Sequence, residues 1–124
     1  MKKIVIAFDV DGTLIQNGAT NFWDMKPNWR IVRLLEALAS FKNVSVVVWS
    51  GGGQDWANEA VAKLDLHKFV KKTYDKNLIN CEKAKCEATG CKLYHFDPPI
   101  KPDIAIDDIQ ACDLGLINLI VKEK

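Results

Sequence analysis

The chain has 124 residues, 48% of them hydrophobic, with 17 basic against 16 acidic side chains and a formal charge of +1. That length gives one domain, residues 1–124, built on a single sheet with helices on both faces, and the balanced charge gives no indication of a nucleic-acid or membrane surface. The mean hydropathy of -0.07 is that of a soluble globular protein. No stretch reaches the ~20 apolar residues of a membrane span, and Asp9 and Asp11 interrupt the N-terminal apolar run too soon for a signal peptide, so the expected compartment is the cytoplasm.

Ile4-Val5-Ile6-Ala7-Phe8 is a short apolar run of the kind that forms a strand buried on both faces of a parallel sheet. It ends in Asp9-Val10-Asp11-Gly12-Thr13. Alternation along a strand sends Asp9 and Asp11 the same way, toward the mouth of the sheet. Two like charges placed so closely call for a metal, for proton chemistry, or for both. Residues 14–27 have no sustained period and read as a loop; Trp23 within it could stack on a substrate ring, though packing over the core is the expected role.

Ile31, Leu34, Leu35 and Leu38 place a helix over 28–41, with Asn28 as its cap. A second strand over 44–49 ends at Ser50 and three glycines. A second helix follows over about 54–66, with Ala57, Ala60, Val61 and Leu64 facing inward. Residues 69–73 are expected to form a short strand, and 76–92 to be partly helical. Pro98, Pro99 and Pro102 break regular structure before a strand over 103–106, which ends at Asp107-Asp108. The apolar stretch 114–121 forms a last strand or a short helix. Trp29, Trp49 and Trp56 are expected in the core. Alternating strands and helices predict a three-layer, Rossmann-like α/β domain.

Three strands thus end in polar reactive groups, and in parallel α/β sheets ligands bind outside the carboxyl ends of the strands. The ordered set DxDGT, a hydrophobic run ending in Ser, a Lys, and a hydrophobic run ending in an acidic pair resembles the haloacid dehalogenase superfamily over residues 4–113. The resemblance implies a small Mg²⁺-dependent phosphatase. Asp9 would be the nucleophile that forms an aspartyl-phosphate. Asp11, which the dehalogenases of that superfamily lack, would be the general acid and base. It also implies metal ligation by the Asp9 carboxylate, the Asp11 backbone carbonyl and Asp108, with Asp107 and Asp113 supporting.

Charge arithmetic points the same way. Two unit charges ~4 Å apart repel by ~4 kcal/mol at an effective dielectric of 20, and a hard divalent cation relieves such crowding. Ser50 and the backbone of Gly51 would bind the substrate phosphate. A cation should also balance the transferring group; the resemblance implies Lys101, from Lys101-Pro102 shortly before the acidic pair, with Lys76, Lys83, Lys85 and Lys92 as other choices.

Cys81, Cys86, Cys91 and Cys112 read as reduced thiols; the spacing of the first three with His95 is not that of common zinc modules, and neither His67 nor His95 has an assigned role. Neither interval between motifs has room for a cap domain. The site is therefore expected to be open apart from a flap over about 14–26, to take a phosphorylated small molecule or macromolecule, or to be closed by a second copy of the chain. Residues 74–96 would also read the substrate. Two other readings stand beside this one. One is a phosphoacceptor receiver-like signalling domain; the other is a catalytically idle metal-binding scaffold.

Overall fold

β1 (Ile4–Asp9) occupies the centre of the molecule because its side chains are apolar on both faces and from Ile6 onward all are buried. The computed structural model describes residues 2–76, 78–79, 95–96, 99–108 and 117–121. β2 (Val44–Ser50) pairs with β1 on one side, and β3 (Val70–Asp75) lies beyond it at the sheet edge. A two-stranded antiparallel unit joins β4 (Leu78–Ile79) and β5 (His95–Phe96). On the other side of β1 lie β6 (Ile104–Asp107) and then β7 (Ile117–Ile120).

The main sheet therefore runs β3-β2-β1-β6-β7, and every pair in it is parallel. Counted only within this sheet, the order is 3-2-1-4-5, the arrangement of Rossmann-like α/β folds. The chain moves outward from β1 to β3 and then returns to the far side of β1. This makes the carboxyl ends of β1 and β6 the topological switch point, where such sheets bind ligands.

α1 (Trp29–Ala39) and α2 (Gln54–Lys63) connect the first three strands. Their buried residues, among them Ile31, Leu35, Ala57 and Val61, share one cluster with Ile6, Phe8, Val46, Val48 and Ile106. Ala7, Val47, Trp49 and Ala105 form a smaller cluster with the opposite alternation. Among the described residues, the helices thus lie on the Phe8 face.

The expected elements recur with moved ends, except the partly helical 76–92, most of which lies outside the described residues and whose Leu78–Ile79 is the strand β4. α2 stops three residues short of 66, because Asp65 takes a left-handed conformation with φ 54°. The third strand is longer than 69–73 and runs to Asp75, with a bulge: Val70 pairs with Val46 but Lys72 pairs with Val47, so Lys71 is the extra residue. The tail forms a strand at Ile117–Ile120 rather than a helix. Asn28 does precede α1, but its side chain makes no cap hydrogen bond; it donates instead to the Thr13 carbonyl at 3.0 Å, tying the helix start to the first loop.

Two tryptophans depart from the expected core. Trp23 is 81% exposed and Trp29 54% exposed, whereas Trp49 is fully buried. Trp23 lies in a 3-10 turn (Phe22–Asp24), where Asn21 accepts hydrogen bonds from two backbone amides and fixes the turn, so the ring stays outward. Trp29 is the first residue of α1, and Arg33 stacks over its ring. Below them Leu14, Ile15 and Met25 are buried, which anchors the 14–26 segment to the core. No described helix is long and apolar enough to cross a membrane.

Candidate active site

Parallel pairing sets the carboxyl ends of β1, β2, β3 and β6 along one edge of the sheet. Asp9 is in register with Trp49, Ser50 with Asp75, and Phe8 with Ile106. Asp9 and Asp107 thereby end adjacent strands, and both are buried. Asp108 follows directly and is half-buried. One carboxylate oxygen from each of Asp9, Asp107 and Asp108 lies within 4.8 Å of the others.

Gly12 shows how closely Asp108 approaches the first loop. Its φ of +77° suits glycine, and a Cβ there would collide with the Asp108 carboxylate. The loop is closed by hydrogen bonds from Gly12 N–H to the Ile15 carbonyl at 2.8 Å and from Ile15 N–H to the Val10 carbonyl at 3.0 Å.

The cation of this cluster is Lys76. Its ammonium donates to Asp9 Oδ1 and to Asp107 Oδ2, each at 2.6 Å, and the side chain is 2% exposed. Lys76 follows β3, and its backbone N–H donates to the Ser50 carbonyl at 3.0 Å, which carries it to the edge where the acids lie. Its ammonium also sits 5.8 Å from the Trp49 ring centroid. Lys101, the expected cation, is exposed and makes no ion pair with the cluster. The reason is directional: Lys101 precedes β6, whereas the acids terminate it, and a strand advances about 3.3 Å per residue. Next to it, Asp103 accepts from Val5 N–H at 2.8 Å, at the opposite edge of the sheet.

Asp11 does not join the three-carboxylate cluster. Its Oδ2 accepts a hydrogen bond from the indole N–H of Trp56 in α2 at 3.0 Å. The expected Asp11 ligand atom was the backbone carbonyl, and the Trp56 contact leaves that assignment standing. Ser50 is buried and its Oγ accepts from Gly52 N–H at 3.0 Å; a hydroxyl that accepts still has its proton to donate. Gly51 beside it is exposed. Thr13 adds a hydroxyl donor to Asp9 Oδ2 at 3.3 Å.

Burial raises the pKa of the Asp9 carboxyl well above its ordinary value. Lys76 opposes that shift, and Asp107 and Asp108 add to it. Burial likewise raises Asp11, with the Trp56 hydrogen bond pulling the other way and Asp108 adding to the rise. For Lys76, burial favours loss of the proton, but Asp9 and Asp107 outweigh it and the ammonium is held above its ordinary value. Among the described residues, three clustered carboxylates against one ammonium leave a net negative site of hard oxygen donors, which fits a cation such as Mg²⁺.

Trp56 and Lys76 are the site residues that sequence reasoning missed or ranked low. Trp56 looked like core, and its polar N–H was the available signal. Cys81, Cys86, Cys91, Cys112, Asp113, Lys83, Lys85 and Lys92 lie outside the described residues, as does the side chain of His95. No family model, no curated protein and no solved structure matches the chain.

Proposed function

We propose that the chain is a Mg²⁺-dependent phosphate monoester hydrolase of the haloacid dehalogenase type, acting through an aspartyl-phosphate. The observation that carries this reading is the meeting of Asp9, Lys76, Asp107 and Asp108 at the switch point of the sheet. Asp9, the Asp11 carbonyl and Asp108 would hold the ion, which when bound supplies charge neutralisation for an incoming phosphate.

A carboxylate oxygen of Asp9 attacks phosphorus as the ester P–O bond breaks, and Asp11 gives its proton to the leaving oxygen. Water then attacks the same phosphorus, Asp11 takes the proton back, and the P–O bond to Asp9 breaks to release phosphate. The raised pKa of Asp11 suits the first, acid half of this cycle. Lys76 holds one Asp9 oxygen and so orients the other, while its charge opposes that gathering on the phosphoryl group. Ser50 and the backbone at Gly51 receive the remaining phosphate oxygens.

A receiver-like signalling domain fits less well, because that class shares the 2-1-3-4-5 strand order and the sheet here runs 3-2-1-4-5. An idle scaffold has no need of a second acid positioned by a dedicated indole donor. The test is hydrolysis of p-nitrophenyl phosphate with Mg²⁺. Asp9→Asn is expected to abolish turnover while the circular dichroism spectrum stays the same. Near-normal turnover in that variant would refute the nucleophile, and a phosphoaspartate lasting minutes in the unaltered protein would favour the receiver.

A further inference from the structure

The segment after the first loop forms a cavity of about 370 Å³, lined by Gln16, Asn17, Ala19, Trp23, Asp24 and Lys26 among others, a volume in the range of small-molecule sites. It adjoins the acidic site. The position a Gly12 Cβ would occupy lies 2.8 Å from Asn17 Nδ2 and against the Asp108 carboxylate, so a cavity wall and a metal-ligand candidate meet over the same backbone.

Trp23 leaves most of a large apolar ring in water, yet it is held in place. Its backbone N–H donates to Asn21 Oδ1 at 2.9 Å, its ring meets Phe22 edge-on at 5.1 Å, and the Lys63 ammonium from α2 sits 5.7 Å from its centroid. The charges of the lining cancel, one Asp against one Lys. Gln16 and Asn17 each offer an amide donor and a carbonyl acceptor. A second phosphate or a bare sugar would leave the indole uncovered. A neutral planar heterocycle with a polar edge satisfies both parts, its face on Trp23 and its edge on the carboxamides, in the way that aromatic rings stack bases and Asn or Gln reads adenine.

We propose that this cavity binds the base of a nucleotide whose phosphate lies at Asp9. The inference rests on the phosphatase reading and names its substrate class.

The test compares adenosine monophosphate with ribose 5-phosphate, which lacks the base, in the unaltered protein and in Trp23→Ala, with Mg²⁺. The substitution is expected to lower kcat/KM for the nucleotide about tenfold more than for the sugar phosphate, as loss of one base stack does. Equal losses on both substrates would overturn the base site and leave the phosphatase standing. If the unaltered protein hydrolyses neither, the phosphatase reading fails, and equilibrium dialysis of adenosine monophosphate decides the cavity by itself. Binding weakened about tenfold by Trp23→Ala upholds the site, and absent or unchanged binding overturns it. A 5′-phosphorylated oligonucleotide separates the sources: faster turnover than the free nucleotide assigns the base to a strand end, slower turnover to a free nucleotide, and both uphold the proposal.

Discussion

The floor of the site and its rim are built on different terms. On the floor, Asp9, Ser50, Lys76 and Asp107 are buried at or just beyond strand ends, and each makes polar contacts to residues far away in sequence. On the rim, Gln16, Asn17, Trp23 and Lys26 are exposed and are steadied mainly by turn contacts and one lysine from α2. The floor cannot adjust without disturbing the sheet, whereas the rim can change with little cost to the fold. Chemistry that depends on sub-ångström placement belongs on the first, and recognition that can vary belongs on the second.

Lys76 offers the strongest way to break this comparison. Lys76→Met leaves Asp9 and Asp107 buried without their shared cation and is expected to cost about 3–5 kcal/mol, the usual penalty for breaking a buried pair. Lys101→Met, at an exposed position, should stay within about 0.5 kcal/mol. Urea unfolding of both variants measures the contrast, and equal costs would dissolve it.

Metal binding is next in size. Because burial raises Asp9, ionising it costs stability as pH climbs from 3.8 through its higher folded value. A cation that binds the ionised form recovers that cost, so Mg²⁺ should stabilise the protein more at pH 7 than at pH 4. At a hundredfold excess over Kd the gain is about 2.7 kcal/mol. The Lys76 contribution falls in the same direction in a higher window: it is fully present below 10.5 and is lost as pH rises through the raised folded value. Thermal melts with and without Mg²⁺ across this range check both windows.

Trp56→Phe removes the donor to Asp11 and keeps an aromatic ring. Turnover should fall roughly tenfold with KM nearly unchanged, part of the 10²–10⁴ that general acid–base catalysis supplies. The fall should be larger for alkyl phosphates, whose leaving oxygen needs a proton, than for p-nitrophenyl phosphate. A uniform loss would mean that the indole only packs. Smallest of all, Trp23→Ala should shift stability by less than about 0.5 kcal/mol in a urea titration, because the ring is already in water.

The strand ends were legible in sequence because apolar runs stop abruptly at Asp9, Ser50 and Asp107. β3 was less so. As an edge strand it carries exposed Lys71 and Lys72, and its weak apolar pattern hid both its length and the importance of the lysine that follows it. Nothing local distinguishes Lys76 from its neighbours. Its burial comes from β3 pairing with β2, a contact between segments more than twenty residues apart. Trp23 misled for a related reason, and Trp56, which does pack against the core, was only half read: hydrophobic character alone does not separate a ring that fills the core from one held at a rim or spending its N–H on a carboxylate.

The extra residue at Lys71 gives the edge strand a measure of slack. One more residue is taken up there than its neighbour requires, so the length of chain leaving α2 and the position where β3 must finish are reconciled ahead of the site. Without that take-up, a one-residue slip would move the ammonium by about 3.3 Å and turn it to the other side of the sheet. A small irregularity in an exposed ladder therefore governs where the only ammonium described among the acids comes to rest.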